Sequence, residues 1–378
     1  MALKVVSSFP GGNACAVKIS SDGDTPEVRF SADPCGGTEA LWFYLRIEES
    51  QPDPAKHQKI RLIWEHVETV TGMTDAPACV PVSMGPGPTW SRLKQGEETR
   101  TADGRRHLSW TLPHPAPFTE VAFCFPYGLA EWKNLEERTR DYWQVAPIGV
   151  SQSGHPILRA ANTLGTSGSN HPGVVILARQ HAGETPASWV LDGLMRYWSQ
   201  ARRGGYVIWV VPFVDPDGVQ WGHDGRGGFP LDMDRAWRHP AGRHETRVLR
   251  LDIQRWRQRC RPVLALDLRA TGAAERDGVY AIVGEASSPT AAEETKWSNT
   301  FKTELTPAFA AADFKRTETD PGRHDPAGSF AAVMRDEFNV PALRLHIPYG
   351  YCGQDVLTQK TYRDIGQRIG QALHRRNG

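Results

Sequence analysis

The chain has 378 residues and a mass of 42.0 kDa, which suits one large α/β unit or two units of unequal size. Hydrophobic residues at 39% and charged residues at 23% exclude a disordered or fibrous chain, and 44 Lys plus Arg against 43 Asp plus Glu leave no field to draw in nucleic acid or an anionic membrane. No apolar run reaches the roughly 18 residues of a membrane span, and the opening residues lack a charged region followed by an apolar one, so a cytoplasmic setting is expected.

In the first third, short strand patterns at 41–47, 60–64, 107–111 and 121–125 alternate with turn-rich stretches such as 84–88. With no helical period among them, they predict a small antiparallel β-sandwich over 1–128. After Gly128 the texture changes. Trp132, Leu135, Tyr142 and Trp143 lie close to helical spacing, and compact apolar runs follow at 174–178, 207–211, 263–266 and 342–345, of the kind buried on both faces of a mixed or parallel sheet. Helices fit between and after them, carried by Val190, Leu194 and Tyr197, by Leu249, Ile253 and Trp256, and by Ile365, Ile369 and Leu373. The expectation is an α/β unit over 129–378 with a mixed central sheet flanked by helices. The six cysteines are dispersed without a Cys-x-x-Cys pair, which predicts mostly buried thiols.

Chemistry in such sheets gathers where strands end. The turn after 174–178 reads Arg179-Gln180-His181-Ala182-Gly183-Glu184-Thr185-Pro186, and its His-x-x-Glu can aim an imidazole and a carboxylate at one point, two of the three protein ligands that a catalytic zinc takes. A helix-start carboxylate beside an incidental histidine gives the same spacing. Farther on come Pro216-Asp217-Gly218-Val219 and Asp232-Met233-Asp234-Arg235-Ala236-Trp237. His66, His107, His155, His223, His239 and His324 are expected to be surface or structural histidines.

Together these motifs resemble the zinc carboxypeptidases of the carboxypeptidase A superfamily, most of all the cytosolic branch, whose catalytic domain follows a small β-sandwich. Trp42-Phe43-Tyr44-Leu45-Arg46 and Gly154-His155-Pro156-Ile157 extend the likeness. The resemblance implies His181 and Glu184 as zinc ligands, Arg235 with its neighbour Asp234 at the substrate carboxylate, and Arg226 polarising the scissile carbonyl. An arginine fork suits that duty because it donates two parallel hydrogen bonds to a carboxylate.

Three positions depart from the family pattern. Arg269 stands where a third zinc-binding histidine is expected, His346 where the catalytic glutamate is expected, and Asp234 where an asparagine is expected. A guanidinium offers no lone pair to a metal. Two functions follow as expectations. In the first, a zinc-dependent hydrolase of peptide or amide bonds holds its metal with His181, Glu184 and His346, with Asp267 or Glu275 as weak substitutes for the base, or with His346 itself as base. In the second, an inactive relative has Arg269 in the space of the metal, paired with Glu184, and binds a peptide or an acylated amino-acid-like small molecule.

Overall fold

The computed structural model describes residues 3–20, 25–49, 59–68, 79–85, 89–113, 118–202, 205–317 and 328–377. His324 and positions 86–88 of the expected turn lie outside them. The first strands are β1 (Leu3–Val6), β2 (Cys15–Ser20), β3 (Glu27–Ser31), β4 (Tyr44–Glu49), β5 (Lys59–Trp64), β6 (Val82–Met84), β7 (Ser91–Arg92), β8 (Glu97–Arg100), β9 (Arg106–Pro113) and β10 (Phe118–Ala122). They form two five-stranded sheets, ordered β1-β4-β10-β6-β7 and β2-β3-β5-β9-β8. All pairs are antiparallel except β3 with β5. The chain leaves for β4 in the other sheet between them and so returns in the same direction. Phe30, Phe43, Trp64 and Phe123 fill the core with edge-to-face contacts at 5.0 to 6.2 Å between ring centroids.

The remaining strands are β11 (Gln144–Val150), β12 (Pro156–Ala161), β13 (Pro172–Ala178), β14 (Val207–Val211), β15 (Arg261–Ala270), β16 (Val279–Val283), β17 (Ala310–Thr317) and β18 (Ala342–Ile347). They build one mixed sheet in the order β11-β12-β14-β13-β15-β18-β16-β17, with β14, β13, β15 and β18 parallel at its centre. Burial on both faces explains why β13 and β14 read as unbroken apolar runs.

Helix Thr185–Ala201 starts with Pro186, whose missing N–H costs nothing in a first turn, and buries Val190 and Leu194. His244–Arg257 buries Leu249, Ile253 and Trp256, and Gln359–Asn377 buries Ile365, Ile369 and Leu373. Helix Leu129–Thr139 buries Trp132 and Leu135 but ends before Tyr142 and Trp143, which lie outside the helical face they were read on. Helices Ala291–Leu305 and Phe330–Asp336 have no counterpart in the sequence reading. Three of the cysteines are buried and three half-buried. Among the described residues no helix is long and apolar enough to cross a membrane.

Candidate active-site cleft

Two facts of backbone geometry assemble the site. The turn 179–184 leaves β13 with Arg179 at φ +60° and presents His181 and then Glu184, which caps helix Thr185–Ala201 where the helix dipole favours a carboxylate. On the adjacent strands the register sets Asp267 opposite Arg344 and Arg269 opposite His346, so the period of two puts all four on one face. A third wall comes from the loop 224–232. Gly225 approaches so closely that a Cβ there would lie 2.8 Å from the Ala182 nitrogen. The N-terminal sheets hold this loop, since Asp224 Oδ2 accepts the Leu41 and Trp42 N–H groups at 2.9 and 3.0 Å.

Arg269 is at the centre and only 4% exposed. Its Nε donates to Glu184 Oε2 at 3.0 Å and its Nη2 contacts His181 Nδ1 at 2.8 Å. Nη1 is 3.1 Å from Asp234 Oδ1 and 3.5 Å from Asp267 Oδ2. One guanidinium thus joins the turn, β15 and the 232–235 segment. Asp234, expected beside Arg235 at a substrate carboxylate, is buried and faces Arg269 and also Arg344, 3.6 Å away. A carboxylate at that depth needs a cation, and Arg269 supplies it.

Since an arginine can only donate, the 2.8 Å contact uses the His181 Nδ1 lone pair and leaves a proton on Nε2, which donates to Asp232 Oδ1 at 2.9 Å. Burial and the Arg269 charge oppose protonation of this ring, but Asp232 and Glu184 outweigh them and push its pKa up to about 9. A doubly protonated ring would turn the Arg269 contact donor to donor while strengthening the 3.1 Å contact from Nδ1 to Glu184. In either form Nε2 keeps its proton.

Asp232 also accepts the Gly227 N–H at 2.6 Å and the Asp234 N–H at 2.8 Å. Burial alone would raise Glu184, Asp232 and Asp234; Arg269 holds Glu184 and Asp234 low, and His181 holds Asp232 low. Asp267 is raised by its complete burial, against Arg269, and accepts Gln180 Nε2 at 2.7 Å; Gln180 Oε1 in turn accepts Trp237 Nε1 at 2.6 Å. Three guanidiniums, of Arg226, Arg269 and Arg344, face four carboxylates, of Glu184, Asp232, Asp234 and Asp267. A charged His181 or a protonated Asp267 closes the difference.

The donor set does not fit zinc. A zinc ligand needs a lone pair on His181 and a carboxylate not already committed to a cation; Glu184 is bound to Arg269, and on His181 Nε2 carries a proton while Nδ1 either accepts from Arg269 or is protonated as well. Among the described residues no three histidine, cysteine, aspartate or glutamate side chains converge as metal ligands, so His346 is not brought into a ligand set with His181 and Glu184. His346 is half-buried and lies flat on Tyr280, with centroids 4.9 Å apart and planes 8° off parallel, and Arg316 covers the Tyr280 ring at 3.7 Å. Glu275 accepts the Tyr280 hydroxyl at 3.1 Å.

Arg226 Nη2 is 3.4 Å from Glu184 Oε1, and Arg235 is exposed beside the buried Asp234. Both arginines line one cavity of about 290 Å3, together with Asp232, Leu231 and two residues of the N-terminal part, Thr38 and Glu39. Sequence reasoning assigned no role to Asp232, Gln180 or Arg344. The strand period was a signal for the last, two residues before His346, whereas Asp232 acts through a loop that returns to His181.

Residues 129–377 match the family described as zinc carboxypeptidase. The chain is 37% identical to human cytosolic carboxypeptidase 1 over 278 residues, 63% of this chain and 23% of that protein. It is 29% identical to cytosolic carboxypeptidase 2 of Xenopus tropicalis over 218 residues, 51% of this chain and 22% of that protein. With mouse cytosolic carboxypeptidase 6 it shares 24% identity over 255 residues, covering 62% and 46%. The matched stretch is therefore less than half the length of each of these relatives. Among solved structures, a metallo-carboxypeptidase from Burkholderia cenocepacia superposes with a TM-score of 0.79 over 99% of this chain and 98% of its own, at 18% identity. One from Pseudomonas aeruginosa, in complex with (2-guanidinoethylmercapto)succinic acid, does so at 0.75 over 98% of each, also at 18% identity, and both show the fold. The match over the whole central sheet and its helices identifies the chain as a member of the zinc carboxypeptidase family, one in which the His-x-x-Glu turn is bound to an arginine.

Proposed function

We propose that this protein is a carboxypeptidase-fold binding protein that holds a peptide or acylated amino-acid-like ligand without zinc hydrolysis, with Arg269 in the place of the metal. The observation that carries this is the single guanidinium bonded to both His181 and Glu184. A cation fixed there satisfies the buried carboxylates and repels a second cation. The cleft keeps the means of recognition. Arg226 and Arg235 share a cavity, and an arginine fork engages a carboxylate with two parallel bonds. A cytoplasmic setting belongs to the same reading, supported by the names of the relatives.

Elemental analysis of protein purified without chelator tests the metal side directly. Zinc far below one per chain is expected. About one zinc per chain, lost in His181→Ala with Glu184→Ala, would instead support a hydrolase with a rearranged site. The ligand side is tested by titrating N-acyl amino acids into the parent and into Arg235→Ala. The variant is expected to bind about tenfold more weakly, the loss of one charge-assisted contact, with an unchanged melting temperature. Equal binding would remove Arg235 from the ligand site.

A further inference from the structure

A second cavity, of about 350 Å3, lies where the N-terminal sheets meet the central sheet. Trp42, Tyr44, Pro126, Leu129 and Val219 are among the residues that line it. It shares the turn residues Arg179 and Ala182 with the cleft but none of the charged cluster around Arg269. Its volume is at the small end of the range for ligand sites, and junctions between domains are where such sites concentrate.

What gives this cavity chemical character is Arg179, which is 3% exposed. Its Nε donates to the Ala182 carbonyl at 2.7 Å, and its Nη1 to the Tyr127 carbonyl at 2.8 Å and to Ser188 Oγ at 3.1 Å. Nη2 makes a further bond to the Ala182 carbonyl. Every one of these acceptors is neutral. Arg269, Arg226 and Arg344 each have a carboxylate within 4 Å; among the described residues Arg179 has none. Glu184 and Asp215 act on it only from farther away, and both are committed elsewhere, Glu184 to Arg269 and Asp215 to the Gly218 N–H at 2.9 Å. A guanidinium stays protonated at neutral pH, and beyond these neutral acceptors the group has only the face of the Phe213 ring, 5.8 Å from its centroid, so no carboxylate pairs with it directly.

Four bonds use four of the five N–H groups of the guanidinium and leave one on Nη2. A buried cation with neutral partners is costly, and an anion that enters the same low-dielectric space recovers part of that cost. Glu131 also lines the cavity, its carboxylate accepting the Gly128 N–H at 2.8 Å; it repels any anion beside it, so a bound carboxylate has to sit at the Arg179 side and a second anionic group is disfavoured.

We propose that this cavity binds a small monocarboxylic acid with an aromatic or branched aliphatic body, its carboxylate directed at Arg179 and its body against Trp42, Leu129 and Val219. The site is separate from the cleft and does not depend on how the Arg269 cluster works.

Titration of the full chain with phenylacetate and with its neutral isostere phenylacetamide tests the assignment. Phenylacetate is expected to saturate with a dissociation constant below about 1 mM, and the amide to bind at least about tenfold more weakly. Val219→Phe, which fills the cavity, should weaken phenylacetate by about tenfold or more, whereas Arg235→Ala in the cleft should leave it unchanged. Should Val219→Phe fail to fold, the Trp42 indole N–H, bonded to the Gly11 carbonyl at 2.9 Å, reports in the parent protein by a shift of its NMR resonance on titration. Absence of saturable binding, equal affinity for the amide, an unmoved Trp42 resonance, or loss of binding in Arg235→Ala would each overturn the proposal.

Discussion

Replacing Arg269 by methionine is expected to destabilise the protein by about 3–5 kcal/mol, the loss that follows when one partner of a buried ion pair is removed and the other stays behind. Here three carboxylates stay behind, those of Glu184, Asp234 and Asp267; Glu184 keeps Arg226 at 3.4 Å and Asp234 keeps Arg344 at 3.6 Å, both longer than the contacts that Arg269 makes to them. Arg269→Lys should fall between parent and methionine variant, because an ammonium keeps the charge but cannot reach Glu184, His181 and Asp234 with one planar fork. The pH dependence carries a sign. In the parent, Glu184 and Asp234 are held below their unfolded values, so their contribution is present above about pH 4 and is lost as the pH falls. Without Arg269 the buried carboxylates favour the protonated form, and the gap between parent and variant should narrow as the pH drops toward 4. Urea midpoints at pH 7 and pH 4 measure both effects. A methionine variant within 1 kcal/mol of the parent at pH 7 would show that the cluster does not depend on Arg269.

The cluster also explains why two of the departures in the sequence belong together. Read singly, Asp234 is an asparagine replaced and Arg269 a ligand lost. In the folded chain they are 3.1 Å apart, so the added negative charge answers the added positive one. Such a pairing is invisible along the sequence, because the two residues lie on different elements and only the fold-back of the 224–235 segment onto His181 and the register of β15 bring them together. By contrast, the His181 and Glu184 pair was legible, since three residues and one turn fix it. The same contrast runs through the fold. Strands buried on both faces and helices with a clear apolar face could be read, whereas Ala291–Leu305 and Phe330–Asp336 were hidden. The first alternates charged and apolar residues without a clean stripe, and the second is a short helix buried nearly all round. Asp232 was overlooked for a related reason. Its role depends on a loop that folds back to His181, and nothing local in Asp-Met-Asp announces that return.

Restoring Arg269→His together with His346→Glu is expected to raise zinc affinity and to install measurable hydrolysis of N-acyl amino acids, while either change alone does far less. Arg269→His removes the cation that occupies His181 and Glu184 and adds an imidazole, but leaves no carboxylate to take a proton from water. His346→Glu alone places a carboxylate directly across from Arg269 on the neighbouring strand, where the two form an ion pair. The effects should therefore be strongly non-additive, as for residues that act as one unit. Asp234 complicates the double variant, because losing Arg269 leaves it with Arg344 as its close cation at 3.6 Å, so Asp234→Asn should improve both folding yield and ligand binding at Arg235. Calorimetric titration with zinc gives the affinity, and melting temperature with and without zinc gives an independent reading through the stabilisation that a bound metal confers. A triple variant that folds, keeps the parent's melting temperature and yet takes up no more zinc than the parent would mean that Arg269 and His346 do not stand where the metal and its base stand in the family.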